Sequence, residues 1–288
     1  MKMILGKVPF DIDFHPSNNL FATALINGDL HLYRFSLDDS VPVRQLEVHA
    51  HADSKRAARF IDCERVLFTA SSDCSVLATD VETRSTITHI DNVHEATVNR
   101  LINLTQSTVV SPDDVGFIKI WDIRKRSCYN YFNAHENYIS DMTFASDAMK
   151  LLTTSEDKTL SVCNLRTNSV QSRSEMSGLL SVVLMKNGRK FVCRLQNGII
   201  LYSWGCFKNF SDAGLSMYMN NSIDTMLKLD ENIIITGGSD NGIINLLLLV
   251  PSILILLPIP SQVLVPQLTM KLTRIKRVQG CCRTLVKG

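Results

Sequence analysis

The 288-residue sequence predicts an all-β fold built from repeated antiparallel blades, and three regularities predict it. In Phe117-Ile118-Lys119-Ile120-Trp121-Asp122-Ile123-Arg124, apolar and polar residues alternate as in a strand with one buried face, and Trp121-Asp122 closes it. With Trp121 as marker, equivalent strand ends fall at Tyr33, Thr79, Trp121, Cys163, Ser203 and Leu247, at intervals of 46, 42, 42, 40 and 44 residues. Upstream, His51, His94 and His135 recur at 43 and 41. A period of about 40–45 residues with these signatures marks a WD-repeat β-propeller, whose blades bury their faces only by stacking on their neighbours.

The turns carry the same period. Six residues before the marker stands an Asx residue in five of six copies: Asn27, Asp73, Asp157, Asn197 and Asn241. Such residues tolerate the left-handed region and bond their own backbone. In the third copy that slot holds Val115 and Asp114 lies one place earlier, which predicts a turn longer by one.

Taken in order, residues 3–8 are expected to form a lone outer strand, and Phe10, Ile12 and Phe14 begin blade one before the His15-Pro16-Ser17-Asn18 turn. Strands at 20–25 and 30–35 follow around Asn27-Gly28-Asp29. The blades are expected at about 9–50, 51–93, 94–134, 135–174, 175–220 and 221–245. Blade five lacks a leading His and ends in Ser203-Trp204. Beyond residue 245 the apolar run 246–260, broken by Pro251, Pro258 and Pro260, and the basic remainder to 288 lose the turn-strand rhythm. This segment, 246–288, is expected to be an irregular, disordered or aberrant tail. A membrane helix needs about 20 mostly apolar residues, and the three prolines interrupt this run, so no membrane association is expected.

Composition bounds the functions. Six of the 30 Lys and Arg lie in 246–288, which has no acid, so residues 1–245 hold 24 bases against 28 acids, a net −4. A mildly acidic body gives no reason to expect direct nucleic-acid binding. Eight cysteines are scattered without a C-x-x-C motif, and the N-terminus has too few apolar residues for a signal peptide, which together point to a reducing compartment.

Catalytic sets are absent from the sequence. His94-Glu95 and His135-Glu136 lack the second His of H-E-x-x-H, and neither G-x-x-x-x-G-K-[ST] nor G-x-S-x-G occurs. The carboxylates recur with the repeat, as turn residues do. A non-enzyme is therefore expected, with no catalytic residue, metal or cofactor. His51 with Asp73, His94 with Asp114 and Trp121 (Ser111 lying between them), and His135 with Asp157 are expected to be structural hydrogen-bonded sets linking strands. A buried bond of this kind is worth about 1.5–3 kcal/mol.

Phe10-Asp11-Ile12-Asp13-Phe14-His15-Pro16, Ala78-Thr79-Asp80-Val81-Glu82-Thr83, Phe132-Asn133-Ala134-His135-Glu136 and Leu160-Ser161-Val162-Cys163-Asn164-Leu165-Arg166 resemble the WD repeat-containing protein 55 family in its plant form, over about residues 4–245. The resemblance implies a seven-bladed propeller, of which six repeats are recognisable. It also implies a non-enzymatic nuclear and nucleolar scaffold, with the cytoplasm as a further location, tied to ribosomal RNA processing and ribosome biogenesis. Its partners would be pre-ribosomal or nuclear factors, with the chain a monomer inside a larger complex. In plants the family further implies a substrate receptor of the cullin-4 ubiquitin ligase. Trp121-Asp122-Ile123-Arg124 fits the W-D-x-R motif that docks on the damaged-DNA-binding protein 1 adaptor, although Pro112 stands where the extended motif has a small residue. Trp121, Asp122 and Arg124 are the adaptor-binding candidates, with Arg166 of Asn164-Leu165-Arg166 as a second one lacking the Trp. The alternative expectation is a C-terminally truncated, non-functional or dominant-interfering product without its closing blade, whose unpaired strand edges invite aggregation.

Overall fold

The computed structural model describes residues 7–36, 41–49, 51–61, 65–105, 107–175, 178–195, 198–207, 215–218, 223, 225–237, 243–250 and 253–260. The expected lone strand at 3–8 falls mostly outside them, as do Asn197, Asn241 and residues 261–288.

The described strands form four-stranded antiparallel sheets, each joining its strands in chain order. Blade one holds β1 (Pro9–Phe14), β2 (Leu20–Leu25), β3 (Asp29–Arg34) and β4 (Val43–His49). Blade two holds β5 (Lys55–Ile61), β6 (Val66–Ser71), β7 (Val76–Asp80) and β8 (Thr86–Ile90). Blade three holds β9 (Ile102–Thr105), β10 (Thr108–Pro112), β11 (Phe117–Asp122) and β12 (Ser127–Asn133). Blade four holds β13 (Ile139–Ala145), β14 (Lys150–Ser155), β15 (Thr159–Asn164) and β16 (Ser169–Ser174). Blade five holds β17 (Ser181–Met185), β18 (Lys190–Leu195), β19 (Gly198–Ser203) and β20 (Leu215–Tyr218), with a 3-10 turn at Trp204–Phe207. Blade six holds β21 (Thr225–Lys228), β22 (Ile233–Gly237), β23 (Ile243–Val250) and β24 (Ile253–Pro260). The chain divides into two compact units, Met1–Asn133 and Ala134–Gly288.

Period-2 alternation decides how blades join. In the first unit, Leu20, Ala22, Leu30 and Leu32 of blade one meet Ala58, Phe60 and Leu67 of blade two. The opposite face of blade two, with Ala57, Phe68 and Val76, meets Val98, Leu101 and Val109 of blade three. In the second unit, Leu152, Leu160 and Val162 of blade four pack on Val182 and Phe191 of blade five. A run buried on both faces, such as β2 or β6, is buried at every position.

Carboxylates of the first strands of blades one and four add directional links. Asp11 Oδ2 accepts the Ala58 N–H at 3.0 Å, and Asp13 Oδ2 accepts the Phe60 N–H at 2.9 Å, tying blade one to blade two. Asp141 Oδ2 accepts the Val182 N–H at 3.1 Å and the Ser181 hydroxyl at 2.5 Å, tying blade four to blade five.

Two expectations change. The repeat does not stop at residue 245, because that residue lies inside β23, and β23 pairs along its whole length with β24, up to Ile243 opposite Pro260. The apolar run reads as tail because it lacks alternation and contains prolines. The prolines 258 and 260 fall on the outermost strand, where a missing N–H leaves no inner ladder bond unmade. In blade five the marker belongs at Tyr202 and not at Ser203. Phe191 pairs with Tyr202 as Val109 pairs with Trp121, and the β18–β19 ladder continues to Leu195 opposite Gly198.

Candidate interaction site and the buried histidine networks

Each leading histidine enters its blade from the loop before the first strand, and its ring is closed off from solvent. In blade three, His94 Nδ1 lies 2.9 Å from Asp113 Oδ2, and His94 Nε2 lies 2.7 Å from the Ser111 hydroxyl. Trp121 Nε1–H donates to that same hydroxyl oxygen at 2.9 Å. One proton assignment satisfies every group. The Nδ1–H donates to the carboxylate, the Ser111 O–H donates to Nε2, and the Ser111 oxygen accepts from Trp121. This chain crosses from the loop through β10 to β11.

Blades two and four run the same network with threonine in place of serine. His51 Nδ1 meets the Ser75 hydroxyl at 2.7 Å and Asp73 Oδ2 at 3.3 Å, while Nε2 meets Thr69 Oγ1 at 3.0 Å. His135 Nδ1 meets Thr159 Oγ1 at 2.6 Å and Asp157 Oδ2 at 3.2 Å, and Nε2 meets Thr153 Oγ1 at 2.8 Å. Burial, with Lys55 as a nearby positive charge, pushes the His51 pKa down to about 4. Burial likewise lowers that of His135. Burial works against the charged forms of Asp73 and Asp157, but their hydrogen bonds, Ser75 and Thr159 foremost, hold both carboxyls below the usual range. Neutral imidazoles facing ionised carboxylates are the outcome. The pairs His51/Asp73 and His135/Asp157 thus stand as the sequence places them.

The third pair needs a correction. His94 is paired with Asp113, whereas Asp114 accepts from the Asn99 side-chain amide. Nor is this turn longer than its neighbours. The Asp113 N–H donates to Phe117 O at 2.9 Å on the same rung as Ser71 N–H to Ser75 O at 3.2 Å, so both turns enclose the same number of residues. The acid has moved from the turn to the strand end, the place held by Ser71 and Ser155 in blades two and four. Spacing from the marker could not reveal an exchange between two acids side by side.

At the marker position the blades differ. Cys163 is buried as a small apolar group, and burial drives its thiol up to about 12. Thr79 is buried and its hydroxyl has no hydrogen-bond partner. Tyr202, the aromatic counterpart of Trp121, stacks against Phe191 at 5.4 Å between ring centroids.

The four-residue segment 121–124 divides into supports and one exposed head. Asp122 Oδ1 accepts the Arg124 N–H at 3.0 Å and the Lys125 N–H at 3.2 Å, so its carboxylate shapes the turn. Asp80 and Asn164 do the same in blades two and four, the latter taking the Arg166 N–H at 2.9 Å. Trp121 is half-buried and spent on Ser111. Arg124 and Arg166 are exposed, at the same step of equivalent turns. The Arg124 guanidinium rests on the Ser107 hydroxyl at 3.0 Å, over a groove of about 730 Å³. Ile61, Phe68, Ile87 and Ile123 give this groove an apolar wall, and Arg124 and Arg126 give it a basic rim. A planar guanidinium beside apolar surface suits a partner that presents a carboxylate or carbonyl next to an apolar side chain.

Comparisons with known proteins agree with this architecture. The WD domain, G-beta repeat, family matches residues 126–164. The chain is 58% identical over 255 residues to WD repeat-containing protein 55 of Arabidopsis thaliana, covering 88% of this chain and 71% of that protein. It is 34% identical over 248 residues to the WD repeat-containing protein 55 homolog of Dictyostelium discoideum, covering 85% and 59%. With WD repeat-containing protein 55 of Rattus norvegicus the identity is 34% over 242 residues, covering 83% and 62%. The chain therefore spans less than two thirds of the length of these last two relatives.

Proposed function

Because the chain belongs to the WD repeat-containing protein 55 family, we propose that it is a nuclear and nucleolar scaffold for ribosomal RNA processing that also serves as a substrate receptor of a cullin-4 ubiquitin ligase. Its WD repeats make it a protein-interaction scaffold of a family that is typically non-enzymatic. The ribosomal reading rests on the family alone, and the receptor reading rests on one observation, the exposed Arg124 above an apolar groove. Asp122 fixes the backbone of that turn, so the arginine head is presented on a rigid mount and not on a free loop. Trp121 and Asp122 support Arg124 from behind, and Arg166 offers a second head on an equivalent turn without the tryptophan.

The test is a tagged pull-down from nuclear extract, wild type beside Arg124→Ala and Arg166→Ala. The ligase adaptor is expected with wild type and reduced by at least about tenfold with Arg124→Ala, as for an interface anchor worth more than 1 kcal/mol. Adaptor recovered equally by all three proteins, or by none of them, overturns the receptor reading. A fluorescent fusion that stays out of the nucleolus overturns the ribosome-biogenesis reading.

A further inference from the structure

The outer half of blade one gathers donor atoms that the sequence keeps apart. β3 and β4 pair with Asp29 opposite His49 and His31 opposite Glu47, so these four side chains occupy two adjacent rungs of one face. One ligand atom each from Asp29, His31 and Glu47 lies within 4.8 Å of the others. Asp29 and His31 are buried, with side chains 6% and 5% exposed, while the Glu47 side chain is 41% exposed and opens to solvent.

Each ligand's other atom is already held. His31 Nδ1 bonds the Tyr33 hydroxyl at 3.0 Å, which leaves Nε2 pointing at Glu47 Oε1, 3.3 Å away. Asp29 Oδ2 accepts from the Asn27 amide, and Glu47 Oε2 takes Arg44 at 3.0 Å. Asp29 Oδ1 is buried and faces His49 Nδ1 as an ion pair. Outer partners that fix the tautomer and the carboxylate orientation are the ordinary support of a metal site. The loop before β3 is also fixed, because a Cβ on Gly28, at φ +81°, would lie 2.7 Å from His51 O and 2.8 Å from Asp53 O.

We propose that Asp29, His31 and Glu47 bind a divalent transition-metal ion, zinc by the chemistry of the set, with the fourth position open to solvent beside Glu47. An imidazole with two carboxylates suits zinc and not magnesium or calcium, which take oxygen shells. Two positive groups bear on the site. Arg44 grips the outer oxygen of Glu47, and the buried Lys55 hangs its ammonium on Val48 O at 3.4 Å, within electrostatic reach of Asp29. Both charges oppose the metal.

The test is calorimetric titration of the tag-free full chain with zinc at pH 7.5, repeated with Co²⁺ followed by visible absorption. One ion per chain is expected, with the intense visible bands of four-coordinate Co²⁺. Asp29→Asn, which keeps its size, abolishes binding, and Tyr33→Phe weakens it by ~10–100-fold through loss of the support to His31. Circular dichroism melts of both variants without metal show whether the fold survives. If Asp29→Asn melts as a folded chain and binds zinc as wild type does, or if wild type gives no saturable one-to-one isotherm, the site does not exist. Glu47→Gln, at a side chain 41% exposed, must weaken binding, and unchanged binding in that variant overturns the three-ligand proposal.

Discussion

Blades two and three place a histidine at the same point of the same sheet and satisfy it differently. In blade three the network runs unbroken from Asp113 through His94 and Ser111 to Trp121, so loop, β10 and β11 are one hydrogen-bonded unit. In blade two it ends at Thr69, and Thr79 stands where the tryptophan would be with a buried, unpartnered hydroxyl. Blade two also buries Lys55 completely. Where a blade has the leading histidine, its ring takes an acid on one side and a hydroxyl on the other, while the indole is optional. What the indole adds is a polar link where blade two relies on Ala78, Thr79 and Val76 packing alone.

The largest expected effect separates the two acids of blade three. Asp113 has a side chain 3% exposed, and its removal strands a buried imidazole N–H. Asp113→Ala is expected to cost ~3–5 kcal/mol, as when one partner of a buried pair is deleted, whereas Asp114→Ala is expected to cost no more than ~1 kcal/mol. Urea unfolding of both variants decides it. The reverse order would return the network to the turn residue and undo the correction made from the rung geometry.

The next effect is pH-dependent and belongs to blade two. His51 titrates near 4 in the folded chain and near 6.5 when unfolded, so the unfolded state binds more protons in that interval. Stability is then fully present above about pH 6.5 and is lost as pH falls toward 4, by up to ~3 kcal/mol from this one group. Asp73, also lowered, loses its own contribution below the normal carboxylate range. Lys55 acts at the other end. Burial brings its ammonium down to about 7 from 10.5, so stability rises with pH between those values as the unfolded state gives up its extra proton. Denaturant midpoints across pH 4–10 should show both slopes. Lys55→Met should flatten the alkaline one and shrink the acidic one in part, because the Lys55 charge helps to hold the His51 pKa down, and a flat acidic limb in wild type would refute the neutral buried His51.

How much of this was legible in the chain depends on what the signal was. The blades followed from spacing and alternation, because a half-buried strand writes its face into every second residue. Two leading His–Asp pairs followed from recurrence. The Asp113/Asp114 exchange did not, since adjacent acids look alike to any count and only the ladder says which one ends β10. The boundary at 245 failed because β23, an unbroken apolar run, and β24, carrying Pro258 and Pro260, both lack alternation. The hydroxyl partners Thr69 and Thr153 were missed, although they stand at the Ser111 position and two residues from Ser71 and Ser155. Asp11, Asp13 and Asp141 carry no signal of their role in spacing or recurrence, and the structure aims them at backbone N–H groups of the next blade. The Asp29, His31, Glu47 and His49 group needed the β3–β4 register, because the two pairs are 20 and 16 residues apart in sequence.

The smallest effect tests whether the indole link contributes at all. Trp121→Phe keeps most of the ring against its neighbours and deletes only the Nε1–H to Ser111 bond of 2.9 Å. The Ser111 oxygen loses one donor, while its own O–H still serves His94. The expected cost is therefore an ordinary net hydrogen bond, ~1 kcal/mol, plus a small loss of contact. Thr79→Val at the same place in blade two removes a hydroxyl that is buried and bonds nothing, and puts a methyl group of the same shape in its stead. That change should be neutral or stabilise by up to ~1 kcal/mol. Measured together by urea unfolding, the two substitutions should move stability in opposite directions. If Thr79→Val instead destabilises, the hydroxyl has a partner in solution, blade two carries a link of its own, and the contrast between the blades disappears.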